Sequence, residues 1–361
     1  VTATAHGHRS VVDEQRLNEL LGQAVTDIGA AMNGVLVQLG ADLGLWSALA
    51  GAGPMTADGL AERTELPAPC VGQWLAAQAA SGYVEYDAAD GTFTLTPEQA
   101  FVFADENSPA YVVGGYHIVS SLYRDRERLA RALREGHGFG WDEHDPELFL
   151  GTEQFFRPGY RAGLVAEWIP ALDGVQEKLT AGATAADIGC GHGVSTVLMA
   201  AAYPASTFHG FDYHQASVDR ATALAADEGV AGNTSFARAS AADFPGQGYD
   251  LVCFFDCLHD MGDPVGAMRH TRETLAEDGT VMLVEPFAND DLADNLNPVG
   301  RVYYAASTVI CTPSSMAQDV AACLGAQAGE KRLREVAEEA GFSRFRRAVE
   351  TPFNLVFEAR V

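Results

Sequence analysis

Between residues 183 and 194 the chain passes from an apolar run into a helix-forming run through Asp187-Ile188-Gly189-Cys190-Gly191-His192-Gly193. Three glycines in five residues at such a junction constrain the fold more than any other feature of the sequence. Glycine lets the backbone turn tightly, and it lets a ligand reach main-chain atoms that a side chain would cover. Apolar strand, glycine turn, helix is the opening of a βαβ unit. The spacing is GxGxG, followed by Val194 and Ser195. It is therefore not the dinucleotide fingerprint GxGxxG, and with no lysine after it, it is not a phosphate-binding Walker loop.

From about residue 183 onward the same rhythm continues. STFHGFD, TSFARA, YDLVCFFD and TVMLVEP read as short strands, and STVLMAAAY, HQASVDRATALAADEG and PVGAMRHTRETLAEDG read as helices between them. Strands alternating with helices predict an α/β domain with a parallel sheet over 181–361. RLREVAEEAGF reads as a helix ending at Gly341, and FNLVFEAR as a final strand. The stretch around 290–325 interrupts the alternation as a lid-like insertion with an aromatic, amphipathic character from Tyr303, Tyr304, Val309 and Met316.

The front of the chain has a different pattern. In residues 11–50, Leu17, Leu20, Leu21, Ala24, Ile28, Ala31, Val35 and Leu39 recur at helical spacing on one face. Gly22, Gly29, Gly34, Gly40 and Gly44 argue against one straight helix and suit close helix packing or a subunit contact. Residues 54–98 read as a helix capped by Thr56, a helix opened by Pro67 and closed by Gly82, and a hairpin turning at Asp90-Gly91. Helix, turn, helix and hairpin make a winged-helix arrangement, so 11–100 is expected to be a mainly helical winged-helix domain. Its second helix carries no Lys or Arg between Cys70 and Ser81, only Gln73 and Gln78. Nucleic-acid recognition needs basic and amide side chains, so a dimerisation or lid module is the better reading. Residues 101–180 read as a helical connecting region.

Charge supports that reading. Asp and Glu number 49 against 23 Lys and Arg, a net charge of −26. Such a chain is repelled by nucleic acid and anionic membrane. The six cysteines are scattered with no CxxC pair, so neither a disulfide framework nor a zinc ribbon is expected. Cys253 and Cys257 fall on a buried strand and its exit, where cysteine serves as a small hydrophobe, and no metal is expected with His259 there. The opening VTATAHGHRS lacks the apolar core of a signal peptide, and no apolar run approaches a membrane span. A reducing cytoplasm is the expected location.

Asp212 closes the strand after the glycine turn, 25 positions beyond Asp187. A carboxylate there can accept hydrogen bonds from both hydroxyls of a ribose. The acid before the first glycine, Asp187, suits a cationic ligand better than a pyrophosphate, and a sulfonium bearing an amino group is such a ligand.

With Asp187–Gly193, Asp212 and the strand YDLVCFFDCLHD (249–260), the sequence resembles the class I S-adenosylmethionine-dependent methyltransferases. The front half resembles the winged-helix dimerisation domain of small-molecule O-methyltransferases. The resemblance implies a Rossmann-like seven-stranded sheet, S-adenosyl-L-methionine as cofactor, a small, largely apolar or aromatic methyl acceptor, and a homodimer. It implies that Gly189, Gly191 and Gly193 face the methionine part, that Asp212 holds the ribose and that Tyr213 packs on the adenine. Either Ser240 with Ala241, or Asp243 from a shifted register, reaches the adenine amino group; Phe255 and Asp256 lie beside the cofactor. His259, in the family's His-Asp segment with Asp260, corresponds to the general base; Met261 stands in place of the family's Trp. Glu285 corresponds to the acid that orients this histidine, and Glu330 to a second such acid. An imidazole oriented by a carboxylate suits removal of a hydroxyl proton. Carbon, nitrogen or sulfur acceptors stay open at this stage, as does a ligand-responsive transcription regulator.

Overall fold

The computed structural model describes residues 12–361, and the reading of the first ten residues lies outside it. The chain divides into two compact units after Glu106. In the first, α1 (Glu14–Asp42) is one continuous helix of 29 residues, capped by the Asp13 side chain. The expected interruption does not occur: the chain turns only at Gly44, φ +69°, before α2 (Leu45–Leu49). Gly40 is needed for packing, since a Cβ there would stand 2.4 Å from the Trp46 indole nitrogen. The indoles of Trp46 and Trp74 donate to the Val37 and Leu36 carbonyls of α1. Leu17, Leu20, Leu21, Ile28, Val35 and Leu39 lie exposed.

α1 also corrects the expectation about membrane-length segments. An 18-residue window of it has mean hydropathy 1.3, enough by length and composition to cross a bilayer, although uncharged polar residues break up its apolar run.

The winged-helix order is present. α3 (Ala57–Thr64) is capped by Thr56, and α4 (Ala68–Ala80) starts after Pro67. β1 (Glu85–Asp87) and β2 (Thr92–Thr94) pair antiparallel, followed by α5 (Pro97–Phe103). Gln78, one of the two amides on α4, is fully buried and exchanges hydrogen bonds with Asn33.

The second unit contains the rest. α6 (Val113–Glu135) and α7 (Glu147–Gly163) pack closely where Gly114 meets the Phe155 backbone and Gly151 meets that of Ile118. They belong with the sheet domain and are not a separate connector. After α8 (Val175–Ala181) come β3 (Thr184–Ile188), α9 (Val194–Ala202), β4 (Thr207–Asp212), α10 (Gln215–Asp227) and β5 (Thr234–Arg238). Then follow β6 (Tyr249–Phe255), α11 (Pro264–Thr274) and β7 (Leu275–Pro286). The insertion folds as α12 (Pro298–Ala306), a wide turn at Ser307–Cys311 and α13 (Thr312–Met316). The chain continues through α14 (Gly329–Glu339), β8 (Arg344–Glu350) and β9 (Asn354–Arg360).

The seven strands run in the order β5-β4-β3-β6-β7-β9-β8. Five are parallel, and β9 and β8 return antiparallel. The sequence reading has one final strand where the structure has a hairpin; RFRRAVE alternates too weakly in hydrophobicity to stand out. Both sheet faces are covered. Along β6, Leu251, Cys253 and Phe255 pack with Trp168, Ile169 and Leu179, while Val252 and Phe254 pack with Met268, Leu333 and Val336. The near-continuous apolar run of this strand follows from burial on both sides. β3 lies between β4 and β6, so the chain leaves it in opposite directions, and a crevice opens beyond its carboxyl end.

Gly40→Val in α1 should drive Cβ and its methyls into two fixed indoles and destabilise the first unit by about 2 kcal/mol. Urea unfolding followed by tryptophan fluorescence checks this, and an unchanged midpoint would refute the packing argument.

Candidate active site

A cavity of about 830 Å³ occupies that crevice, within the usual range of small-molecule sites. Gly189, Cys190, Gly191 and His192 form one edge. The turn is fixed by the Phe211 carbonyl of β4, which accepts from the amides of Gly189 (2.8 Å) and Cys190 (3.0 Å). All three glycines have positive φ, +71°, +52° and +79°. A Cβ on Gly189 would meet the Cys257 sulfur at 2.9 Å, and one on Gly193 would meet Ala221 at 2.7 Å. Gly191 alone of the three faces open space, so a ligand can lie against its backbone.

Asp212 lines the cavity. Its carboxylate accepts from the Gly191 amide (2.9 Å) and the His214 amide (2.8 Å). Two lone-pair positions remain for a diol. Burial pushes its pKa up, against these two hydrogen bonds. Tyr213, Ser240, Ala241, Phe255, Asp256 and Asp260 also line the cavity. Asp243 turns back to accept from the Ser240 amide, which leaves Ser240 and Ala241 at the wall.

Four expected residues do not reach it. Asp187 is buried and accepts from the hydroxyls of Ser195 and Thr196, both at 2.6 Å. It staples the glycine turn to the start of α9, and burial pushes its carboxyl up to about 6. Gly193 lies inside the turn. His259 and Glu285 lie beneath the wall: His259 is only 3% exposed. Its Nδ1 donates to Glu285 at 2.5 Å, and its Nε2 faces Asp260 Oδ1 at 3.1 Å. Glu285 also accepts from the Leu258 amide, and Asp260 from the Trp141 indole at 2.8 Å. Burial alone would push the imidazole pKa down; Asp260 and Glu285 outweigh it and hold it well above the ordinary histidine range. The sequence-expected trio is therefore assembled, but as an imidazolium between two carboxylates, with Asp260 the member at the cavity wall.

Cys311 of the insertion lies against this trio; ligand atoms of His259, Asp260 and Cys311 fall within 4.8 Å of one another. Burial and the Asp260 charge push its thiol up to about 12, and the imidazole is already satisfied by the two carboxylates. Cys257 donates to the Ile188 carbonyl. Glu330 does not reach His259 and pairs with Arg334 and Arg347.

Several wall residues are not identified in the sequence reading. Phe149, Glu153, Phe156 and Tyr160 of α7 line the cavity. Their steps of four, three and four are one helical face, a signal present in the sequence and hidden by the unassigned helix. Phe149 stacks on His214 at 4.5 Å, and Glu153 pairs with His192 at 2.8 Å. His192 is thus held in place and is not a free loop side chain. Tyr160 donates to Asp256 Oδ2 at 2.6 Å, and Asn354 of β9 donates to Oδ1 at 2.7 Å. Asp256 has φ +50°, a strained conformation for a residue with a side chain.

Residues 179–341 match the family model described as a methyltransferase domain, and residues 31–104 match an Rv2258c-like winged helix-turn-helix domain. The second unit thus contains a methyltransferase domain preceded by a winged-helix domain, and it has the class I S-adenosylmethionine-dependent methyltransferase fold. Among solved structures it is similar to an O-methyltransferase described from Nostoc punctiforme PCC 73102, with 19% identity, TM-score 0.71, 94% of this chain and 98% of that one covered. It is also similar to human N-acetylserotonin methyltransferase (17%, TM-score 0.65, 98% and 99% covered). Mitomycin 7-O-methyltransferase MmcR is a third such structure (18%, TM-score 0.61, 96% and 100% covered). No curated protein matches the chain.

Because the folded state binds the His259 proton more tightly than the unfolded chain, this group's contribution to stability is full below about pH 6.5 and is lost as pH rises through the folded midpoint. Nitrogen-resolved NMR at pH 8 should find both imidazole nitrogens protonated, with Glu285→Gln lowering the midpoint. A neutral imidazole at pH 7 would contradict the ion triad.

Proposed function

We propose that this methyltransferase transfers the methyl group of S-adenosyl-L-methionine to oxygen on a small, largely aromatic acceptor. The observation that carries the reading is Asp212, held at the mouth of the glycine turn with unused acceptor positions. The residues fit the cofactor. Asp212 takes the ribose hydroxyls, Gly191 leaves backbone open to the methionine part while Gly189 lets the turn pass close to Cys257, Tyr213 packs on the adenine, and Ser240 with Ala241 edges the base. When bound, the cofactor supplies an electrophilic methyl on a sulfonium.

The acceptor is held by the aromatic face of α7, and positioning provides much of the rate in a displacement of this kind. A hydroxyl becomes strongly acidic as it is alkylated, so a carboxylate is a sufficient proton acceptor. Asp260 is the member of the ion triad that meets the cavity, and it takes the proton. His259 and Glu285 position Asp260 and keep it ionised. The winged-helix unit serves association of two copies: Leu17, Leu20, Leu21, Val25, Ile28 and Met32 present an exposed apolar face on α1. With Gln78 buried and no basic residue on α4, DNA binding is not favoured. Six free thiols suit a reducing, cytoplasmic setting.

Calorimetry should detect binding of S-adenosylhomocysteine, and Asp212→Ala should weaken it by about 10- to 100-fold, the loss of charge-assisted hydrogen bonds. Unchanged affinity would remove the ribose assignment. Light scattering should give twice 38.3 kDa, with Ile28→Glu returning a monomer; a monomeric parent protein would refute the dimer.

A further inference from the structure

The cavity wall has an uneven chemistry. It includes the aromatic rings of Trp141, Phe149, Phe156 and Tyr160 and eight carboxyl groups, and no Lys or Arg. An acceptor bearing a carboxylate or phosphate would find no cation there to neutralise it. Four of the acids have a settled partner. Glu153 is paired with His192 and Arg157, Asp260 with His259, and Asp263 caps the helix that follows it. Glu143 accepts from the Gly140 amide, and Asp142 and Asp319 are exposed.

Two carboxyls, Asp212 and Asp256, are drawn into the structure and hydrogen-bonded by neutral donors alone. Asp212 is accounted for by the ribose. Asp256, expected beside the cofactor, is given no part of it in the fit above. Tyr160 and Asn354 use one lone pair on each of its oxygens and leave one on each. Burial pushes its carboxyl up to about 8, as for an acid without a counter-ion. The positive φ of Asp256 shows that the end of β6 is held in an unfavourable conformation that sets this side chain at the wall. Beside it, Phe156 and Tyr160 stack 5.9 Å apart, and a ring face attracts cations.

We infer that Asp256, with Tyr160 and Asn354 holding it, is the specificity-determining residue for the acceptor and pairs with a protonated amine on it. The acceptor class is then an amine-bearing aromatic, and acceptors carrying a carboxylate are excluded. This rests on the methyltransferase reading above and names the acceptor for that site. The ammonium ion forms a charge-assisted hydrogen bond with Asp256 and lies over the aromatic faces.

The test uses full-length protein saturated with S-adenosylhomocysteine, so that the cofactor end is filled. Two phenols of matched size serve as probes: tyramine, which carries an ammonium, and 3-(4-hydroxyphenyl)propionate, which carries a carboxylate. Calorimetric titration should find tyramine bound at least about 10-fold more tightly, the scale of one charge-assisted contact. Asp256→Asn, which keeps the shape, should erase the difference. Equal affinities, a preference for the carboxylate, or no measurable binding of tyramine in the wild-type protein overturns the inference. So does a variant that remains folded by circular dichroism and keeps the preference; if the variant does not fold, the wild-type comparison decides. Failure of S-adenosylhomocysteine itself to bind would instead refute the cofactor reading.

Discussion

One carbonyl, that of Phe211, accepts the amide hydrogens of both Gly189 and Cys190. This ties the turn after β3 to the end of β4 and keeps the crevice open where the two crossovers diverge. The ligand-facing geometry follows from it. Gly191 is left with its amide on Asp212, and Asp187 is drawn below to anchor α9. The site is built on main-chain hydrogen bonds of the sheet, which hold it more rigidly than loop contacts would.

Beneath the opposite wall the protein accommodates an expensive arrangement. Three ionisable groups, Glu285, His259 and Asp260, are all buried. Removing charges from water is costly unless they are paired and hydrogen-bonded. Here each carboxylate meets the imidazole, and the Leu258 amide and Trp141 indole supply further donors. The outcome is a fixed negative charge at the cavity wall with its counter-ion behind it. Asp256 has no such cation among its hydrogen-bond partners, and in the function proposed here that difference between neighbouring acids assigns proton handling to one and acceptor recognition to the other.

Much of this was legible in the residues. The glycine turn, the alternation of strands and helices, Asp212 and the His259–Asp260–Glu285 grouping are local signals or lie at strand ends, where position in the sheet follows from order in the chain. What escaped depends on partners distant in sequence. Nothing near Asp256 indicates Tyr160 or Asn354, 96 and 98 positions away. Asp187 reads as a ligand group until Ser195 and Thr196 are found to saturate one of its oxygens. His259 reads as a free base until its second carboxylate is counted. Helix α1 reads as broken because glycine is a poor helix former in isolation, yet Gly40 is compensated by two indoles that need its missing side chain. Of the hairpin β8–β9 only β9 is legible, since an edge strand with one solvated face carries little pattern.

The division of the sheet at β3 separates two kinds of inheritance. Side chains from the β3–β5 half line the part of the cavity that, in the function proposed here, takes the sugar and base common to every reaction of this cofactor; side chains from β6, β9 and α7 surround Asp256. Drift on the second side can retune what is modified while leaving the shared nucleoside clasp untouched, so relatives with this scaffold can diverge in chemistry through a few substitutions far apart in the gene.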